Sequence, residues 1–189
     1  MLNNDDKNII LKRFNNHKLI FCGDLGYQLP PIEGRAFKIQ ELPVIEHHNN
    51  RRCKCRKLQR VLNFIRERIR EDKDFLINLP GDYLFDIKII GKDDFDYKVE
   101  DLIICPYNSR KDYFTEKYKD LEKYTVTANT TDYSNGDILY QKIKGVEMEL
   151  RHAFTIHAIQ GETAKNKLYI DLKGIRSLTM LYTAFSRAE

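Results

Sequence analysis

Apolar positions along the chain alternate between two periods. Between residues 5 and 16, Ile10, Leu11 and Phe14 gather on one side, which predicts an amphipathic helix. The apolar run Leu19 to Cys22 follows and ends in Gly-Asp, the pattern of a buried strand running out into a loop. An irregular stretch opens at Pro30-Pro31. Beyond it, Leu58, Val61, Leu62, Ile65 and Ile69 mark one face of a helix of about four turns. From residue 102 the pattern becomes regular. A strand at Leu102 to Cys105 leads into a helix that starts at Asn108 and holds Tyr113, Phe114, Tyr118 and Leu121. β-rich segments surround Val126, Ile138 to Ile143 and Met148 to Phe154, with a turn predicted at Asn135-Gly136. The apolar run Leu168 to Leu172 precedes a last helix from about Ser177. Strands alternating with helices predict a parallel sheet covered by helices, an α/β fold.

Composition adds bounds. At 189 residues, with 42% hydrophobic residues and 21 Tyr plus Phe, the chain has the means to build a core and is no solvated tail. No run approaches the roughly 18 consecutive apolar residues of a membrane span, and the opening MLNNDDKN lacks the basic-then-apolar layout of a signal peptide. The expectation is an intracellular protein, nuclear or cytoplasmic and not secreted, with no membrane partner. Four cysteines (Cys22, Cys53, Cys55, Cys105) include one close pair with a single residue between. That spacing is not C-x-x-C and no second pair completes a zinc site, so reduced thiols are preferred over a metal centre.

Charge is informative in its distribution. Residues 51 to 70 hold nine Lys or Arg and one acid, whereas residues 71 to 101 hold ten acids and four lysines. Such blocks fit an electrostatic footprint for a polyanion beside a solvated connector, and equally a solvated helix face balanced by neighbouring acids.

Three stretches carry candidate chemistry. In Gly23-Asp24-x-x-x-Gln28-Leu29-Pro30-Pro31, a loop leaves the carboxyl end of the expected strand, where open α/β sheets place ligands, and Asp24 and Gln28 are its polar candidates. In FTIHAIQGET, Thr155 and His157 can donate to phosphate oxygens while Gln160 can bridge two ligands. In YTAFSRAE, Arg187 stands at a helix end with the geometry and permanent charge that phosphoryl-transfer sites use. Each taken singly is an ordinary turn, a structural histidine or a surface ion-pair partner.

Together, in this order, they resemble the superfamily 1 helicases, most closely the RecD-like branch that generally moves 5′ to 3′. GDLGYQLPP is similar to that family's third motif, FTIHAIQGET to its fifth and YTAFSRAE to its sixth. NNRRCKCRKLQRVLNFIR is similar to the fourth, with Arg52 as the matching arginine, and LIICPYNSR resembles the strand that follows, with Asn108 as the recognisable residue. The resemblance spans essentially the whole chain. It implies a P-loop NTPase (RecA-like) architecture: residues 1–45 as the C-terminal remnant of a first RecA-like domain, and 46–189 as the second, with a β-rich insertion around 124–153. It also implies roles. Gln28 senses the γ-phosphate, with Asp24 beside it. Arg52 and Arg187 reach that phosphate from the second domain, Arg187 as the finger. Thr155, His157 and Asn108 contact the nucleic-acid backbone, and Gln160, Gly161 and Glu162 link that contact to the nucleotide. Ala158 and Ile159 stand where the family often has Ser or Lys.

The implied parent activity is ATP-dependent unwinding and translocation on single-stranded nucleic acid, DNA in preference to RNA, with ATP and Mg²⁺ as cofactors. Yet no G-x-x-x-x-G-K-[ST] loop and no Asp-Glu dipeptide occurs in the sequence. The expectation is therefore a helicase fragment whose first RecA-like domain is largely missing and which is inactive alone. The alternative is a non-catalytic single-strand-binding module derived from a helicase.

Overall fold

The computed structural model describes residues 4–23, 27, 29, 43, 45, 53–71, 95–159 and 163–188. Its elements in chain order are α1 (Asn4–Arg13), α2 (Arg56–Arg70), β1 (Leu102–Cys105), α3 (Asn108–Lys117), β2 (Tyr124–Val126), β3 (Ile138–Leu139), β4 (Met148–Leu150), β5 (Ala153–Thr155), β6 (Leu168–Ile170) and α4 (Leu178–Phe185).

β1, β5 and β6 form a parallel sheet in the order β5-β1-β6, which places β1 at its centre. All four residues of β1 are buried, as a strand covered on both faces must be. Its side chains divide by the two-residue period. Leu102 and Ile104 join Phe154 and Ile156 in a cluster with Val61, Leu62 and Ile65 of α2 and Leu178, Leu181 and Tyr182 of α4. Ile103 and Cys105 join Ala153, Phe114 of α3 and Tyr97 on the opposite face. The result is a helix-sheet-helix sandwich, which confirms the α/β class with a parallel sheet. Ile104 and Ile65 are fully buried. Truncating either to Ala is expected to cost about 2–5 kcal/mol through lost burial and the cavity left behind.

The remaining strands form a separate antiparallel sheet, β3-β2-β4. The chain enters it at Tyr124 and leaves at Leu150, which are directly paired. Gly136, in the expected Asn135-Gly136 turn, adopts φ +101°, a backbone conformation few side chains tolerate.

Some elements differ from expectation. The run Leu19 to Cys22 forms no strand, and Ile20 is 88% exposed. A strand exists only through ladder partners, and none of the described strands pairs with it. α1 stops at Arg13, with Leu11 and Phe14 exposed. β3 covers only the first two residues of Ile138 to Ile143. Leu121 lies beyond α3, in a turn closed by its N–H on the Tyr118 carbonyl. The segment Met148 to Phe154 divides between the two sheets.

That division has a polar cause. The fully buried His152 breaks the strand and turns its ring inward, with Nε2 3.0 Å from the Leu121 carbonyl and Nδ1 3.1 Å from the Tyr97 hydroxyl. A carbonyl only accepts, so Nε2 carries the proton and Nδ1 accepts from Tyr97. Lys123, 1% exposed, donates to the Tyr97 oxygen at 3.3 Å and to the Asp101 carbonyl at 2.5 Å. This chain of hydrogen bonds fastens the antiparallel sheet to the amino end of β1. Desolvation dominates its titration: burial pulls Lys123 down to about 8 and lowers His152, and it raises the Tyr97 hydroxyl.

Candidate nucleic-acid interface

In an open parallel sheet, ligands sit beyond the carboxyl ends of the strands where the connections diverge. Here α3, which follows β1, packs on one face, and α4, which follows β6, packs on the other. The divergence lies between the neighbouring strands β1 and β6.

Candidate residues from two separate sequence motifs meet at this edge. The register pairs Cys105 with Thr155, so β1 and β5 end side by side. Thr155 closes β5, its hydroxyl accepting from the Ala158 N–H at 3.3 Å and its carbonyl from the Ile159 N–H at 3.1 Å. A hydroxyl that accepts keeps its own proton to donate. His157 lies half-buried in the resulting turn. After Cys105 the buried Pro106 leads to Tyr107 and Asn108, both exposed, which start α3. Its cap makes no side-chain hydrogen bond and its first turn contains no acid of its own.

Residues that the sequence did not single out fix this arrangement. Arg110, in the first turn of α3, bonds Asp171 just beyond β6, Nε to Oδ2 at 2.5 Å. The other Asp171 oxygen accepts from the Lys173 N–H at 3.0 Å. The Arg110 guanidinium also lies over the rings of Tyr113 and Phe114, 4.7 and 4.9 Å from their centroids. The edge's central carboxylate is thereby spent within the protein, while Lys173 and Arg176 remain exposed. Across the β1–β6 divide, the Tyr107 hydroxyl donates to the Gly174 carbonyl at 2.7 Å. An Arg two residues after Asn108 was visible in the sequence, but its carboxylate partner more than 60 residues away was not. Beneath the edge, burial pushes the Cys105 thiol up to about 12, which disfavours the thiolate.

Arg187 sits elsewhere, at the end of α4. It is 5% exposed, with Nε donating to the Thr183 carbonyl at 3.1 Å and Nη2 to the Ser186 hydroxyl at 2.8 Å. The guanidinium thus satisfies a carbonyl that the helix leaves open at its end. Its own carbonyl accepts from the Ala164 N–H at 2.8 Å, joining the end of α4 to the chain just before β6. Asp24, Gln28, Arg52, Gln160, Gly161 and Glu162 lie outside the described residues.

Tyr27 and Leu29, from the GDLGYQLPP stretch, pack onto the α2/α4 cluster, Leu29 with 4% exposure. The outer side of α2 exposes Arg56, Lys57, Arg60 and Arg70. Among the described residues no group of three His, Cys, Asp or Glu is placed to hold a metal ion, none of the four cysteines is in a disulfide, and no helix is long and apolar enough to cross a membrane.

No protein-family model matches the chain, and no curated protein matches it significantly.

Proposed function

We propose that the chain is the second RecA-like domain of a superfamily 1 helicase of the RecD-like branch, with residues up to about 45 belonging to the first domain. A single strand of nucleic acid, DNA in preference to RNA, crosses the carboxyl edge of the β5-β1-β6 sheet, with Asn108, Thr155 and His157 on its backbone. One observation supports this most directly. Thr155 ends β5 beside Cys105, the end of β1, and Asn108, far from it in sequence and drawn from a different motif, begins the helix that leaves β1.

ATP and Mg²⁺ belong to this reading through the partner half of the site, which supplies the phosphate loop and the acids this sequence does not contain. Of the residues assigned to the nucleotide, Arg187 alone can be tested for fit. A guanidinium suits phosphate oxygens, but this one is buried and donates to Thr183 and Ser186, bonds it would have to exchange to reach a phosphate. Nothing among the described residues fits Mg²⁺. The 189-residue chain alone is expected to show no ATPase, and robust DNA-stimulated hydrolysis by it would sink this division of labour.

Fluorescence anisotropy with a labelled oligo-dT tests the strand assignment. Binding should weaken with added salt as counterions are released, and Asn108→Ala with Thr155→Ala together should weaken it roughly 5- to 10-fold, on the scale of one or two hydrogen bonds. Absent binding removes the proposal.

A second reading rests on α2. Its exposed Arg56, Lys57, Arg60 and Arg70 would make the chain a non-catalytic strand-binding module. Arg56→Gln with Arg60→Gln would then abolish binding, and the edge substitutions would leave it unchanged.

A further inference from the structure

We infer that Tyr107 is a stacking platform for one base of the bound strand, with Gly174 bracing its ring and Lys173 and Arg176 as phosphate partners around it. The inference rests on the strand reading above and adds to it a contact to bases where that reading has contacts to backbone.

Tyr107 is 38% exposed and stands at the divide between β1 and β6. It is held rigidly in that place. Its hydroxyl is bonded to the Gly174 carbonyl, and its ring lies so close to Gly174 that a Cβ added there would come within 2.5 Å of Cε2. Gly174 itself has φ +97°, so absence of a side chain serves both the backbone and the ring. A ring held this way loses little further freedom when a ligand stacks on it. The Arg176 guanidinium lies 5.9 Å from the ring centroid, and Lys173 is exposed one residue before Gly174. The nearby carboxylate of Asp171 is already taken by Arg110 and the Lys173 N–H, so it opposes an anion weakly. An exposed aromatic held by a hydrogen bond, with one guanidinium beside it and an exposed lysine next to its bracing glycine, matches single-stranded nucleic acid, whose bases offer flat faces and whose phosphates offer charge.

The test compares oligo-dT with an abasic oligonucleotide of the same length, binding to the 189-residue chain. Tyr107→Leu should weaken oligo-dT binding on the order of 5-fold or more, as loss of one base stack implies, and leave abasic binding unchanged. Tyr107→Phe should retain base-dependent binding. Gly174→Ala, which pushes the ring aside, should reproduce the loss. Because the chain contains no Trp, Tyr107→Trp places one fluorophore at the platform, and its emission should be quenched by oligo-dT but not by the abasic strand. This last measurement stands even where Tyr107→Leu does not fold. Equal losses on both oligonucleotides, or no quenching by a bound oligo-dT, overturn the platform and leave a backbone-only site. No binding of oligo-dT by the unmodified chain overturns the strand reading itself.

Discussion

The guanidinium of Arg66 lies 5.2 Å from the ring centroid of Tyr27, and that of Arg70 lies 5.7 Å from the centroid of the same ring. Tyr182 of α4 completes the arrangement, 5.1 Å from Arg66 and 5.6 Å from Tyr27. The Arg66 Nε is buried without a hydrogen-bond acceptor among the described residues, and the two rings face its guanidinium there. A double-mutant cycle on Arg66→Ala and Tyr27→Ala, followed by urea unfolding, should return a coupling of about 0.5–1 kcal/mol. Strict additivity would show that the contact contributes nothing to stability.

Arg187 has a structural duty that complicates any test of it as a finger. Because it caps α4 and is buried, Arg187→Ala should destabilise the chain by about 1–2 kcal/mol even without nucleotide. Under the proposed helicase reading, in a protein that joins this chain to a first RecA-like domain, turnover should fall with nucleotide binding largely retained. A loss of turnover that tracks only the fraction unfolded at the assay temperature would remove the finger role.

The buried network at the amino end of β1 makes stability depend on pH in two windows. Lys123 has its folded pKa lowered to about 8 from 10.5, so between these values the unfolded chain binds the extra proton and this residue's contribution rises with pH. The stability difference between the unmodified chain and Lys123→Met should therefore shift toward the unmodified chain from pH 8 to 10.5, by up to about 3 kcal/mol. A difference flat across that range would contradict a buried, desolvated amine.

His152 acts on the acid side. Burial, with help from the Lys123 charge, lowers its pKa below the usual 6.5, so the folded state resists the proton that the unfolded state accepts. Its contribution is complete above 6.5 and is lost as pH falls from there toward the folded value. An NMR titration of His152 should show it neutral at pH 6.5. Half-protonation at or above that pH would contradict the tautomer assigned from Leu121 and Tyr97.

Thiol reactivity should follow burial. Cys22 is exposed and should react with a disulfide reagent in the native state, whereas Cys105 should react only on unfolding, its thiol pushed up to about 12. Native-state labelling of Cys105 at the rate of Cys22 would mean that the sheet edge opens readily.

Much of the parallel sheet was legible in the sequence because its strands are short apolar runs bounded by turn residues. Leu102 to Cys105 and the helix beginning at Asn108 are found where periodicity places them. Leu19 to Cys22 reads the same way yet forms no strand, since apolar content states a tendency to be buried and says nothing of whether a ladder partner is available. Met148 to Phe154 looked continuous because the break is made by His152 bonding to Tyr97 and Leu121, two residues distant in sequence. For the same reason Asn108 and Thr155 could be chosen individually, while Tyr107, Gly174, Arg110 and Asp171 became meaningful only once β1 and β6 were side by side.

The pairing of Tyr124 with Leu150 also makes the antiparallel sheet a self-closing detour. Everything from β2 to β4 departs from and returns to one spot, so the detour could grow, shrink or be exchanged for a foreign module while Cys105 and Thr155 kept their register. The strands of the parallel sheet tolerate no such freedom. One residue added within β1 would turn its two faces inside out, exchanging the partners of Ile103 and Ile104 between the helix layers. The molecule therefore separates a part whose length is negotiable from a part whose spacing is quantised, and the candidate interface belongs to the second.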